Sequence, residues 1–147
     1  MTRKMSETTE TKQINELHIQ KAQQVFKTIP FVQLIGMEFV DLKDGEATIK
    51  LKMRIELRQP HGLLHGGATA SVIDTAMAFA VATKLAEGEK ASTIDLTVHY
   101  LRPVTTGEIA CTAKVLRAGK RILTVSAEVI NEEEKLIATA LSTYTKV

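Results

Sequence analysis

The sequence predicts an α+β protein in which a curved antiparallel sheet of about six strands wraps one long central helix. Three observations predict it. Between Leu57 and Thr83 the only fully charged residues are Arg58 and Asp74, so a helix over that stretch is apolar nearly all round and belongs in an interior. On both sides of it the hydrophobic pattern alternates with a period of two, which is the signature of half-buried strands. Turn residues separate the alternating runs: Asp44-Gly45, Ala118-Gly119-Lys120 and Asn131-Glu132-Glu133.

The elements follow in order. Residues 1–12 are rich in Thr, Glu, Lys and Ser and read as a disordered leader, leaving 13–147 as a single domain. From Gln13 to Thr28 the positions Ile14, Leu17, Ala22, Val25 and Phe26 recur at helical spacing, and Pro30 closes that peripheral N-terminal helix. Met37 to Leu42 and Glu46 to Met53 form a hairpin, with Ala47, Ile49, Leu51 and Met53 on one face. A loop from Arg58 leads into the long helix, expected from about Gly67 to Ala86 and ended by Gly88. Four strands complete the order: Thr93 to Leu101, Glu108 to Leu116, Arg121 to Ile130 and Lys135 to Thr145. The helix needs cover on every side, and the sheet has edges that must be hidden, so a dimer is expected.

Composition narrows the function. A chain of 147 residues with 44% hydrophobic and 24% charged residues has the balance of an ordinary globular domain. A net charge of +2 and scattered Lys and Arg argue against nucleic acid, and four Phe, two Tyr and no Trp give no base-stacking platform. The single Cys111 permits no intrachain disulfide and reads as a core residue. The N-terminus has no apolar signal region, and the least polar stretch, Leu63 to Leu85, has an Asp at its centre, so a cytoplasmic protein without a membrane span is expected.

Two features carry chemistry. Asp74 lies in the middle of the apolar helix, where an ionised carboxylate is costly unless it is paired or used. A bond to Thr75 or to a lysine across the sheet would satisfy it structurally. His65-Gly66-Gly67 stands where the helix begins; its first N–H groups lack intrahelical acceptors, and the glycines let a ligand approach the backbone. The same glycines could serve only close packing of the helix end. About two helical turns, roughly 12 Å, separate Gly66 from Asp74, so a bent helix start or a second subunit is needed to bring both to one substrate. No Gly-x-Ser-x-Gly elbow is present, and no spacing suits a metal site, His61 and His65 lying on a glycine-broken loop.

The stretch from Gln59 through His65-Gly66-Gly67 to Asp74 resembles the signature of the PaaI-like hotdog thioesterases, and Tyr100-Leu101-Arg102-Pro103 with Gly107 resembles their third strand and following turn. The resemblance implies a hotdog fold and hydrolysis of acyl-CoA to free acid and coenzyme A. It implies that Asp74 activates water or attacks the thioester carbonyl, which of the two being open. The Gly66 N–H would be the oxyanion donor, Gly67 would permit the close approach, and His65 would orient the loop or thioester. Gln59 would lie beside the carbonyl or the water. Thr93 would help hold that water across a subunit interface. The acyl group would lie near Ala70, Ile73 and Met77, with His61 lining the site. No metal or organic cofactor is implied, coenzyme A entering only with the substrate; a homodimer, commonly paired into a homotetramer, is. Arg58, Lys84, Arg102, Arg117, Lys120 and Arg121 are candidates for the coenzyme A phosphates. Two rivals remain: an acyl-thioester hydratase or dehydratase, and a non-catalytic acyl-CoA-binding oligomer.

Overall fold

A computed structural model describes residues 14–147, so the leader expected over 1–12 lies outside the described residues. Asn15 caps the first helix, α1 (Glu16–Thr28), by accepting from the His18 N–H at 3.1 Å. Pro30 does not merely close that helix. It opens a second short one, α2 (Pro30–Ile35), because its missing N–H costs nothing at the first helical position. Gly36 then ends α2 with φ +82°.

Strands β1 (Met37–Lys43) and β2 (Glu46–Lys52) form the expected hairpin, turning at Gly45 with φ +74°. A 3-10 turn over Ile55–Leu57 precedes the long helix α3 (Gly66–Ala82). Four strands follow: β3 (Ala91–Tyr100), β4 (Glu108–Ala118), β5 (Ile122–Asn131) and β6 (Leu136–Lys146). All six belong to one antiparallel sheet in the order β1-β2-β4-β5-β6-β3. Alternation places Ala47, Ile49 and Leu51 of β2 and Leu123, Val125, Ala127 and Val129 of β5 on the inner face, all buried against α3. Each large aliphatic side chain enclosed this way contributes roughly 1.5–3 kcal/mol. Phe26, Phe39 and Phe79 meet edge to face, with centroids 5.5–6.0 Å apart, and tie α1 to β1 and α3.

The helix ends earlier than Gly88 suggests. Thr83 accepts from the Gly45 N–H and donates to the Ala80 carbonyl, both at 2.7 Å, and Lys84 pairs with Asp44 at 2.8 Å. The β1–β2 hairpin thus fixes where α3 stops. Cover is also incomplete. Val72, Ile73, Ala76, Met77 and Ala80 are fully enclosed, but a stripe through Gly67, Ser71, Asp74, Ala78 and Ala82 stays half-buried or exposed. Within one chain the sheet covers only the face of α3 turned towards it.

Candidate active site

Asp74 lies on the open stripe of α3, facing the sheet edge formed by β3. Thr93 Oγ1 donates to Asp74 Oδ1 at 3.1 Å. The Tyr144 hydroxyl donates to the same oxygen at 3.1 Å and lies 3.2 Å from the Asp74 main-chain carbonyl. Among the described residues nothing hydrogen-bonds Oδ2, which leaves one carboxylate oxygen for other chemistry. Neither expected structural partner is used: Thr75 Oγ1 donates to the Ser71 carbonyl at 2.8 Å, and the Asp74 carboxylate has no lysine partner among the described residues.

A β-bulge brings Thr93 to this place. Thr93 pairs with Tyr144, whereas Asp95, two residues on, pairs with the adjacent Thr143. The extra residue turns both Thr93 and Leu96 towards the helix, which strict alternation forbids. Asp95 secures the bulge: its carboxylate accepts from the Thr143 N–H at 2.8 Å and its carbonyl from Ser142 Oγ at 2.6 Å. The Thr93 hydroxyl therefore bonds Asp74 of its own chain.

Tyr144 is absent from the sequence-based candidates. It continues the inner face of β6 after Ala138, Ala140 and Ser142, all buried, and is only 3% exposed. Burial, with a smaller contribution from the Asp74 charge, pushes its hydroxyl well above the usual phenol range, against a lowering hydrogen bond from Thr93. It stays a proton donor at neutral pH. The available signal was a phenol ending an otherwise small-residue inner face, since a buried hydroxyl needs a partner.

The helix start is built separately. His65 is the N-cap, and its Nδ1 accepts from the Gly67 N–H at 2.8 Å, which places the ring proton on Nε2. A Cβ on Gly67 would lie 2.9 Å from that Nδ1, so glycine is required for the cap to fold back. A Cβ on Gly66 would sit 3.2 Å from Tyr100 Cζ, whose hydroxyl donates to the Gly66 carbonyl at 2.7 Å. Both glycines thus serve close approach within a regular helix. The Gly67 N–H is already taken by His65, whereas no acceptor among the described residues takes the Gly66 N–H.

Gln59 lies beside Gly66 in a cleft of about 310 Å3 that also touches Thr69, Tyr100 and Arg102. Its side-chain oxygen accepts from the His61 N–H, which curls the loop. His61 itself is exposed and outside that cleft. Ile73 and Met77, expected beside an acyl group, have no exposure at all and belong to the core, because their faces of α3 point into the sheet. Since α3 runs unbroken from Gly66 to Ala82, no bend shortens the roughly 12 Å between Gly66 and Asp74. A single chain thus holds Gly66 and Asp74 about two helical turns apart.

Residues 61–138 match the family model of the thioesterase superfamily. The chain belongs to the thioesterase superfamily. The medium/long-chain acyl-CoA thioesterase YigI of Escherichia coli K12 is 32% identical over 131 residues, covering 79% of this chain and 84% of that protein. Among solved structures of this superfamily's fold, the conserved protein PA5202 of Pseudomonas aeruginosa superposes with a TM-score of 0.79 at 33% identity, covering 86% of this chain and 98% of that one. The E. coli PaaI protein of the phenylacetic acid degradation operon superposes with a TM-score of 0.81 at 24% identity, covering 88% and 92%. The sheet-wrapped helix is the hotdog fold that the resemblance implied.

Proposed function

We propose that the protein hydrolyses acyl-CoA thioesters in a homo-oligomer whose active sites combine the half-sites of two protomers. The observation that carries the reading is the separation on α3 of two complementary groups: a backbone N–H without an acceptor at Gly66, and a carboxylate at Asp74 with one oxygen unoccupied. The exposed edge β3, on which Ile94 is 56% and Tyr100 54% exposed, is where a second protomer would seat. The thioester carbonyl would lie in the Gln59–Gly66 cleft, with Asp74 of the second protomer beside it.

The chemistry follows from these positions. A water gives a proton to Asp74 Oδ2 as its oxygen bonds the carbonyl carbon, and the Gly66 N–H stabilises the resulting oxyanion. Removing such a donor costs about 3–4 kcal/mol of barrier in comparable sites. The intermediate collapses with loss of coenzyme A as thiolate, which takes the proton back from Asp74. Direct attack by Asp74 Oδ2 uses the same geometry, forming an acyl-enzyme anhydride with loss of coenzyme A thiolate; label in the Asp74 carboxylate after a single turnover in 18O-labelled water identifies this route, with water entering at the aspartyl carbon. No metal or organic cofactor is required by either route.

Free-thiol release from aryl and aliphatic acyl-CoAs, by wild type and Asp74→Asn, tests the proposal. Wild-type turnover with at least about a hundredfold loss in the folded variant supports it. Equal, background-level release by both overturns it.

A further inference from the structure

Two successive glycines, Gly66 and Gly67, give the start of α3 an unusually free backbone, since glycine loses more freedom on ordering than any other residue. The oxyanion role proposed above needs the opposite, a Gly66 N–H kept in one direction. The peptide unit joining the two glycines is gripped at both ends. The Gly67 N–H donates to His65 Nδ1 at 2.8 Å, and the Gly66 carbonyl accepts from the Tyr100 hydroxyl at 2.7 Å. A planar unit held at its N–H and its C=O cannot turn without losing one of these bonds. The preceding peptide unit, which carries the Gly66 N–H, is fixed through its oxygen. The His65 carbonyl accepts from the Ala68 N–H at 2.9 Å and the Thr69 N–H at 3.4 Å.

The two grips differ in origin. His65 lies two residues from the N–H it accepts, a local cap, whereas Tyr100 reaches Gly66 across 34 residues of chain. It is the last residue of β3, paired with Ala138 of β6, and the next N–H, that of Leu101, donates to the Ile137 carbonyl at 2.8 Å. Tyr100 therefore ties the helix start to the sheet. Its ring lies so close that a Cβ on Gly66 would be 3.2 Å from Cζ and 3.4 Å from Cε1. The ring also walls the cleft shared by Gln59 and Thr69, in which the thioester carbonyl is placed. The hydroxyl has one proton, and the Gly66 carbonyl takes it, so the phenol does not also donate to the thioester. Burial raises this hydroxyl above the ordinary phenol range, so the proton is retained at neutral pH.

We infer that Tyr100 is a positioning residue for the hydrolysis, clamping the Gly66–Gly67 peptide so that the neighbouring Gly66 N–H keeps one direction towards the oxyanion. This rests on the thioesterase reading above. In this role Tyr100 touches no reacting atom. It removes beforehand the backbone freedom that the transition state would otherwise have to freeze, and a donor held in place stabilises developing charge without reorganising.

The test is Tyr100→Phe, which removes the hydroxyl and keeps the ring; thermal melting establishes that the variant is folded. With one acyl-CoA thioester, kcat is expected to fall about fivefold, the rate equivalent of one neutral hydrogen bond, while KM changes less than about twofold. The wild-type-to-variant ratio of kcat stays constant between about pH 6 and 9, because the phenol is protonated throughout. Amide 15N relaxation reads the clamp directly. The Gly67 order parameter drops from about 0.85 towards 0.6 in the variant, and sheet amides are unchanged. An unchanged kcat, or a loss expressed in KM alone, overturns the assignment. So does a ratio that varies over that pH window, which would mean that the hydroxyl gives its proton to the reaction. The relaxation measurement keeps the two proposals apart. Should wild type hydrolyse no thioester, the functional reading fails, whereas a lowered Gly67 order parameter in the variant still supports the clamp. An unchanged order parameter overturns it.

Discussion

Replacing Tyr144 by Phe removes one oxygen and leaves the ring that fills the inner face beside Asp74. Tyr144 is 3% exposed, so Phe opens no large cavity and the ring packing persists. What is lost is the 3.1 Å bond to Asp74 Oδ1 and the weaker approach to the Asp74 carbonyl at 3.2 Å. A hydrogen bond to a charged acceptor contributes about 1.5–3 kcal/mol. Thr93 still holds the same oxygen, and Asp74 is only half-buried, so the lower end applies. At about 1.4 kcal/mol per factor of ten, kcat for thioester hydrolysis falls about tenfold. The same loss lowers Tm by about 3–6 °C in a domain of this size. Thiol release by wild type, Tyr144→Phe, Asp74→Asn and the double variant decides whether the hydroxyl acts through the carboxylate. The tyrosine change then costs less than about twofold on the Asp74→Asn background, while its effect on Tm remains. An equal rate loss on both backgrounds, or none on either, refutes the reasoning.

Three further outcomes are expected. Gly66→Ala places a methyl 3.2–3.4 Å from the Tyr100 ring and crowds the N–H proposed as oxyanion donor, so turnover falls much more than Tm; comparable kinetic and thermal losses would count against that role. His65→Ala removes the N-cap of α3 and destabilises by about 1 kcal/mol, measured by urea unfolding, with Gly67→Ala producing a similar loss by displacing the imidazole. Burial raises the Cys111 thiol from 9.0 to about 12. The folded protein therefore resists alkylation at pH 8 until it is denatured. Because the folded value is the higher one, this thiol's contribution to stability is intact below about pH 9 and declines between pH 9 and 12. Rapid alkylation of the native protein would contradict that burial.

Much of the fold is legible in local pattern. Period-two alternation over β2, β4, β5 and β6 identifies their inner residues because a residue's face in a regular strand depends only on its parity. The Asp44-Gly45 turn is legible because few residues adopt its left-handed backbone. Asp74 stands out because a charge is conspicuous in an apolar helix, and His65-Gly66-Gly67 because two glycines at a helix start are a poor choice for helix stability alone. Each of these signals is contained in a short window of sequence.

What lay beyond the sequence depends on contacts between distant segments. The end of α3 is set by Thr83 and Lys84 bonding the β1–β2 hairpin, about forty residues earlier, so Gly88 misplaces it. The bulge between Thr93 and Asp95 reverses parity and points Thr93 at Asp74; no alternation pattern encodes that reversal, because it is fixed by pairing with β6. Tyr144 finds Asp74 across seventy residues of chain through the same pairing. Ile73 and Met77 differ in role from their neighbour Asp74 solely because α3 turns them towards the sheet. The sequence by itself determined the six strands, the existence of the long helix and the two groups with chemical potential, since these follow from local propensity and polarity. Only the tertiary structure decided which side chains hold the carboxylate, since hydrogen bonds depend on distance in space, not along the chain.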